Sequence, residues 1–416
     1  MNILFIHEVD WLKKVVFEIH DWSEILSKEH NVFAIDYEDK WKRQHFLDIG
    51  TLKTKEFKHV SRSRDDGNVT LRRPGMIKLP FLSRASSLFT HYLEIKRTMK
   101  EERIDAVILY SVPTDGLQTI LLAKKYKIPV IFRAIDAVHQ LVSCRFLRTI
   151  THMWEKGVYK NVDKILTLTP KLSEYVIKMG ANENKVELLP AGVNTNRFNP
   201  NCNTSALRKE LGISKNDKVI MFVGTLFKFS QLDQYIERMP SILEEIPTAK
   251  LLIVGGGDLL EKLKMTVVDR GLKDKVILTG FQPYKMVPDY INIADVCINP
   301  FQLNEITKDV LPMKVLQYLA CGKPVTNTLL PGLKSVFPDE SCGIRYSKDI
   351  PEMVRDTINL LRNEDKLHRL GQNGREYIKK HHDLDEIAKH LEETITTLIQ
   401  SKAGDSAYEN EGCHIS

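Results

Sequence analysis

KVIMFVGTLFKFS, residues 218–230, opens with an unbroken apolar run, Val219–Val223, that stops at Gly224. Such a run reads as a strand covered on both faces, because a half-exposed strand alternates apolar and polar residues. A helical stretch follows near Leu232–Ile246, and then a second run of the same kind, AKLLIVGGG (249–257). The start of the chain repeats the order with NILFI (2–6), a helical stretch from about Leu12 to Lys28, and NVFAID (31–36). The first half continues with IDAVILY (104–110), IPVIFRAID (128–136), VDKILTLT (162–169) and KVELLPA (185–191). The second continues with KVILTG (275–280), ADVCINP (294–300) and KPVTNT (323–328). Apolar strands separated by helices build parallel sheets with helices on both faces. The expected fold is α/β, two doubly wound Rossmann-like domains in tandem.

At 416 residues the chain is too long for one ordinary core, in keeping with two domains. The boundaries expected are 1–200 and 201–383, with the polar stretch 199–217 as linker. An amphipathic helix over 384–400, with Leu384, Ile387, Leu391, Ile395 and Leu398 on one side, precedes a polar tail, 401–416, expected to be disordered. Apolar residues make up 43% and charged residues 27%, the balance of a soluble globular chain, and no stretch approaches the ~18 apolar residues of a membrane span. NILFI is soon followed by His7, Glu8 and Asp10, which suits a buried strand and not a signal peptide. The six cysteines (Cys144, Cys202, Cys297, Cys321, Cys342, Cys413) form no CxxC pair and read as thiols in a reducing cytoplasm.

Net charge is +6, and residues 51–103 alone hold thirteen Lys and Arg against six acids. So local an excess suggests an anionic partner surface, a membrane before a nucleic acid, because aromatics do not interleave with the cations. A solvated basic face is the plainer alternative.

Ligands of doubly wound sheets sit beyond the carboxyl ends of the strands, and with two such sheets the cleft between domains is the default site. In the second half Gly224 and Gly255-Gly256-Gly257 stand at successive strand ends, where bare backbone can approach a phosphate. A glycine there more often only makes the turn, but the succession favours a nucleotide. KDVLPMKVLQYLACGKPV (308–325) adds a carboxylate, Asp309, a helix start near Pro312, a cation, Lys314, and an amide, Gln317. Amides and a lysine suit a phosphate, and an acid and an amide suit sugar hydroxyls, so a sugar nucleotide fits. The alternative leaves Asp309 as a helix cap and Gln317 solvated. No His cluster or Asp-x-Asp suggests a metal, and no cofactor is expected.

The chain resembles glycosyltransferase family 4 over about residues 1–400, through LPAGVNTNRFNP (189–200), VGTLFKF, AKLLIVGGGDLLEKL, KVILTGF, ADVCINPF and VLQYLACGKPVTNT. The resemblance implies the GT-B fold and a retaining hexosyl transfer from a UDP- or GDP-linked donor to a glycan or lipid-linked acceptor. It implies an enzyme of glycan biosynthesis with its last helix returned to the acceptor-binding first domain; the scattered thiols and the basic stretch 51–103 add the expectation of a cytoplasmic protein, peripheral at the inner membrane face. The family's paired acids fall on Asp309, for the donor sugar, and Gln317, for the ribose. Its donor-binding stretches bring in Gly224, Thr225, Gly255, Gly256, Gly257 and Phe281. The usual arginine falls on Thr225 and the usual phosphate lysine on Ser230, so Lys228 and Lys314 are the expected substitutes, with Lys13 and Lys14 near the first strand. The family's His-Asp pair falls on Ile135-Asp136, with His139 close by, and Asp136 and His139 join Asp309 as candidate catalytic residues. These departures keep a non-catalytic nucleotide-sugar binder open, and the fold also admits an epimerase.

Overall fold

The computed structural model describes residues 1–38, 48–79, 82–142 and 144–412, the side chains of Leu141 and of 404–412 excepted. The chain divides into two compact units, Met1–Pro190 with Asp385–Ser416, and Ala191–Leu384.

The first unit is built on eight strands: β1 (Asn2–Ile6), β2 (Asn31–Ile35), β3 (Lys55–Val60), β4 (Val69–Arg73), β5 (Ala106–Leu109), β6 (Val130–Ala134), β7 (Lys164–Thr167) and β8 (Val186–Leu188). Their order is β3-β4-β2-β1-β5-β6-β7-β8. β1 pairs in parallel with both β2 and β5, so the winding direction reverses there and opens a crevice at the carboxyl ends of β1 and β5. β3 and β4 form an antiparallel pair at the edge that the sequence reading missed. β3 exposes Lys55, Glu56, Lys58 and His59, as an edge strand does, and so carries no apolar run.

The helix expected from Leu12 begins only at Glu18 and ends at Leu26. The carboxylate of Asp10 accepts the amides of Leu12 and Lys13, at 3.2 and 3.1 Å, and Asp36 accepts that of Trp11 at 2.9 Å. Side-chain capture of backbone donors holds these residues in turns.

The second unit holds β9 (Lys218–Val223), β10 (Ala249–Val254), β11 (Val276–Leu278), β12 (Val296–Asn299), β13 (Val325–Thr328) and β14 (Ile344–Ser347). All pairings are parallel, in the order β11-β10-β9-β12-β13-β14, with the reversal between β9 and β12. The apolar runs lie where both faces are covered: Ile220, Met221, Phe222, Leu251, Leu252, Val296 and Ile298 are fully buried. Each such side chain contributes about 1.5–3 kcal/mol. β14 went unread because its four residues alternate only weakly.

The division falls after Pro190 and not at 200. Residues 191–200 are tied into the second unit: His382 donates Nδ1–H to the Ala191 carbonyl at 2.8 Å, and Arg375 donates to that of Phe198 at 3.1 Å. Within the expected linker, Ser205–Glu210 is helical. The helix Leu384–Gly412 belongs to the first unit from Asp385 on, buries Ile387, Leu391 and Ile395, and pairs Glu392 with His30 at 2.8 Å. It runs through residues expected to be a disordered tail, since adding residues to a formed helix is far easier than nucleating one. Cys413 and the rest of that tail lie outside the described residues.

Candidate functional site

Three glycines at the ends of β9 and β10 adopt positive φ: Gly224 at +131°, Gly255 at +145° and Gly257 at +147°. The two loops are zipped by backbone, Gly224 N–H donating to Val254 at 2.9 Å and Leu226 N–H to Gly256 at 3.0 Å. A Cβ on Gly255 would stand 1.9 Å from the Gly224 carbonyl oxygen, so this glycine serves the packing of one loop on the other. A Cβ on Gly256 would strike the ring of Phe281 at 2.7 Å, which leaves that largely exposed ring lying over the loop.

Gly224 differs. The atoms its Cβ would meet belong to Lys314, Nζ at 2.9 Å and Cε at 3.1 Å. Lys314 sits in the first turn of the helix Met313–Ala320, and its ammonium lies 3.8 Å from the ring centre of Phe222 and 4.6 Å from that of Phe301. Among the described residues no carboxylate pairs with it. Burial pushes this ammonium well below the usual lysine range, because aromatic faces replace only part of the lost water. An anion beside it would restore its charge.

Pro312, expected in the first helical turn, stands just before it with extended backbone (φ −69°, ψ 110°). Its carbonyl accepts the amide of Val315 at 2.9 Å, so Pro312 itself is the cap residue, and no side chain caps this end. Asp309 is therefore not the cap. It is exposed, and its backbone lies under Gly332, where a Cβ would come within 2.5 Å of the Asp309 carbonyl carbon. Gln317 is half-buried on the same helix, one turn beyond Lys314.

Thr225 is half-buried and Lys228 is exposed in a short turn, Lys228–Ser230. Ser230 is fully buried and donates its hydroxyl to the Phe227 carbonyl at 2.6 Å, so it closes that turn. Asn299, at the end of β12, was missed: its Nδ2 donates to Asn327 at 2.7 Å, while its buried Oδ1 has no hydrogen-bond partner.

In the first unit Asp136 follows β6, half-buried and with no hydrogen-bond partner among the described residues, and burial raises its carboxyl to about 6. His139 lies in the next turn, Val138–Leu141, and its Nδ1 is 2.8 Å from the carboxylate of Glu155. Glu155, on the helix Arg145–Asn161, is buried and also accepts Tyr159 O–H at 2.7 Å, Tyr175 O–H at 3.1 Å and Val138 N–H at 3.0 Å. That hub was not foreseen, although Glu155 is the only acid in an otherwise basic helix. At the crevice of the first sheet, Glu8 likewise accepts Thr114 N–H at 2.6 Å and Thr114 O–H at 2.8 Å.

The cations of residues 51–103 correct an expectation. Arg72 is buried with Glu56, Glu94 and Glu102, Arg73 with Asp10 and Asp36, and Lys78 pairs with Glu38 and Asp48. These three are internal pairs and offer nothing to a lipid. Lys13 reaches Asp10 at 3.8 Å. Among the described residues no group of three His, Cys, Asp or Glu is placed to hold a metal.

Residues 15–197 match the family model described as Glycosyltransferase Family 4, and residues 203–377 that described as Glycosyl transferases group 1. A GDP-mannose-dependent alpha-(1-6)-phosphatidylinositol monomannoside mannosyltransferase of Mycobacterium tuberculosis is 30% identical over 210 residues, half of this chain and 54% of that protein. An alpha-monoglucosyldiacylglycerol synthase of Streptococcus pneumoniae is 26% identical over 62% of this chain and 58% of the relative. The aligned part spans about half the length of the curated relatives it matches. Among solved structures, sucrose-phosphate synthase from Thermosynechococcus elongatus shares the fold at a TM-score of 0.69 and 16% identity, covering 96% of this chain and 99% of that one. Anabaena HepE in complex with UDP and glucose does so at 0.70 and 13%, covering 95% and 100%. With the two family models side by side along it and the GT-B fold behind them, the chain belongs to the group 1, family 4 glycosyltransferases.

Proposed function

We propose that the protein transfers a hexose, with retention of anomeric configuration, from a UDP- or GDP-linked sugar to a lipid-linked or cell-surface glycan acceptor. The observation that carries this reading is Lys314, a half-buried lysine whose ammonium packs against Gly224 and two aromatic rings, with no carboxylate paired to it among the described residues. A diphosphate leaving group develops negative charge as the glycosidic bond breaks, and a cation already stripped of water stabilises that charge strongly. The uncapped start of the helix Met313–Ala320 adds N–H donors beside it. Asp309 takes donor-sugar hydroxyls and Gln317 the ribose. Asp136 and His139 belong to the acceptor side, where a carboxylate near 6 is still ionised at neutral pH and able to orient a hydroxyl. Two relatives carry lipids in their names, a phosphatidylinositol monomannoside in the mannosyltransferase and, as the compound made, a monoglucosyldiacylglycerol in the synthase, and they support a lipid-linked acceptor here.

Turnover of a panel of UDP- and GDP-sugars, with and without lipid acceptors, tests the reading. Sugar transfer that Asp309→Ala removes while nucleotide still binds is the expected result. Donor turned over without acceptor to a stereoisomeric nucleotide sugar would make the protein an epimerase. Tight donor binding with no turnover under any condition would make it a binder.

A further inference from the structure

The helix Arg145–Asn161 packs inward through Thr151, Glu155, Val158 and Tyr159. Its outward side is not the polar surface such a helix ordinarily carries. Phe146 is 72% exposed and Met153, two turns on, 66%; Leu147 and Trp154, offset by one residue, repeat the spacing at 52% and 39%. Alongside stand the exposed cations Arg145 and Arg148, and two lysines further on, while the single acid of the helix is the buried Glu155. Apolar and basic stripes side by side, with no exposed acid, match an interface that is oily below and anionic above. A large exposed apolar patch on a soluble domain marks a docking site.

We infer that this helix lies in the surface of an anionic lipid leaflet, with Phe146, Leu147, Met153 and Trp154 in the headgroup–acyl boundary and the cations on lipid phosphates. Among the described residues no helix is long and apolar enough to cross a membrane, so the contact is a surface one. Tryptophan and cations at one level suit that boundary. The helix also carries His152, whose ring meets that of His139 edge-on at 4.8 Å. Docking therefore presents the Asp136–His139 turn to the leaflet that holds a lipid-linked acceptor. That consequence rests on the proposed function, but the docking itself is measured without donor or acceptor.

The test is co-sedimentation of the full chain with phosphatidylcholine vesicles, either plain or containing about a third phosphatidylglycerol. Partition should be at least about tenfold greater on the anionic vesicles and fall with salt. In a Trp41→Phe background, which removes the tryptophan outside the described residues, brominated lipid should quench Trp154, since Trp11 and Trp22 are fully buried, and Trp154→Phe should remove that quenching. Phe146→Ser with Met153→Ser, and separately Arg145→Glu with Arg148→Glu, should each lower partition about tenfold or more while circular dichroism and binding of a nucleoside diphosphate stay as in the parent. Equal partition to neutral vesicles, no partition, or parental partition by both double variants overturns the inference. So does a dimer that Phe146→Ser dissolves without any vesicle binding, since a second copy would then own the face. Vesicle binding by a chain that binds no nucleotide would leave the docking standing and sink the donor reading instead.

Discussion

Arg73 in the first unit and Lys314 in the second are both enclosed cations, and they have opposite surroundings. Arg73 is held by two buried carboxylates, Asp10 at 2.7 Å and Asp36. Lys314 has aromatic rings and a glycine. An enclosed cation with its counter-charges is part of the fold, and it has no further use for an anion. An enclosed cation without them is a cost to the fold that a ligand can relieve, and such costs concentrate at functional sites. A count of charges along the chain cannot tell these two apart.

The largest effect should come from breaking the satisfied pair. Arg73→Met leaves Asp10 and Asp36 buried without their cation, a loss of about 3–5 kcal/mol in unfolding free energy by urea titration. Lys314→Met should behave in the reverse sense. Lysine held below its usual pKa weakens the folded state at neutral pH, and that weakening is relieved only as pH rises toward the unfolded value of 10.5. Removing the charge should therefore raise the melting temperature at pH 7, with no gain near pH 11. It should also cost about 1.5–3 kcal/mol of nucleoside diphosphate affinity by calorimetry, the range for a hydrogen bond to a charged group. A Lys314→Met protein that loses stability and keeps its nucleotide affinity would put Lys314 in the same class as Arg73.

The same contrast explains what the sequence could and could not disclose. Runs such as Val219–Val223 name a two-sided strand directly, so both sheets and their tandem order were legible before any coordinates. β3 and β14 were not, because edge strands need no apolar run. Gly224 and Lys314 stood out as residue types, ninety positions apart in the chain, and only the fold places one ammonium over one glycine. Within the basic segment 51–103 the charge count misled at Arg72, Arg73 and Lys78, for the converse reason. The segment's acids Glu56, Glu94 and Glu102 are spread along the chain yet converge on Arg72. Glu155 was silent because its meaning comes from Tyr159, Tyr175 and His139 meeting around it.

Asp136 carries the comparison over to carboxylates. Burial raises both carboxyls, but Arg73 pulls Asp36 back down, whereas Asp136 has no such partner among the described residues and rises from 3.8 to about 6. A raised carboxyl pKa stabilises the fold below the unfolded value and loses that contribution as pH climbs through 6. Asp136→Asn removes the ionisation, so it should equal the parent at pH 4 and exceed it by about 1–2 kcal/mol at pH 8, water at the half-buried side chain softening the full shift. If Asp136 also orients the acceptor hydroxyl, the parent's rate should drop below about pH 6 and the variant should be slow at every pH. A variant that gains stability and keeps its rate would mark Asp136 as a structural residue.

The smallest effect belongs to Lys228, the cation that the chain places nearest the glycine turn and the fold leaves exposed. An exposed ammonium keeps its water whether or not a phosphate is present, so pairing gains it little, typically 0.2–1 kcal/mol. Salt shortens its reach to about 8 Å at physiological strength and less above that. Lys228→Ala should therefore weaken nucleoside diphosphate binding by less than about 1 kcal/mol at low salt, and the difference should vanish in half-molar salt. The loss from Lys314→Met should persist there, because its ammonium is packed on the rings of Phe222 and Phe301 and is screened less than an exposed one. Equal salt sensitivity in the two variants would mean that Lys314 meets its anion in water, and the distinction between a buried and an exposed phosphate cation would fall with it.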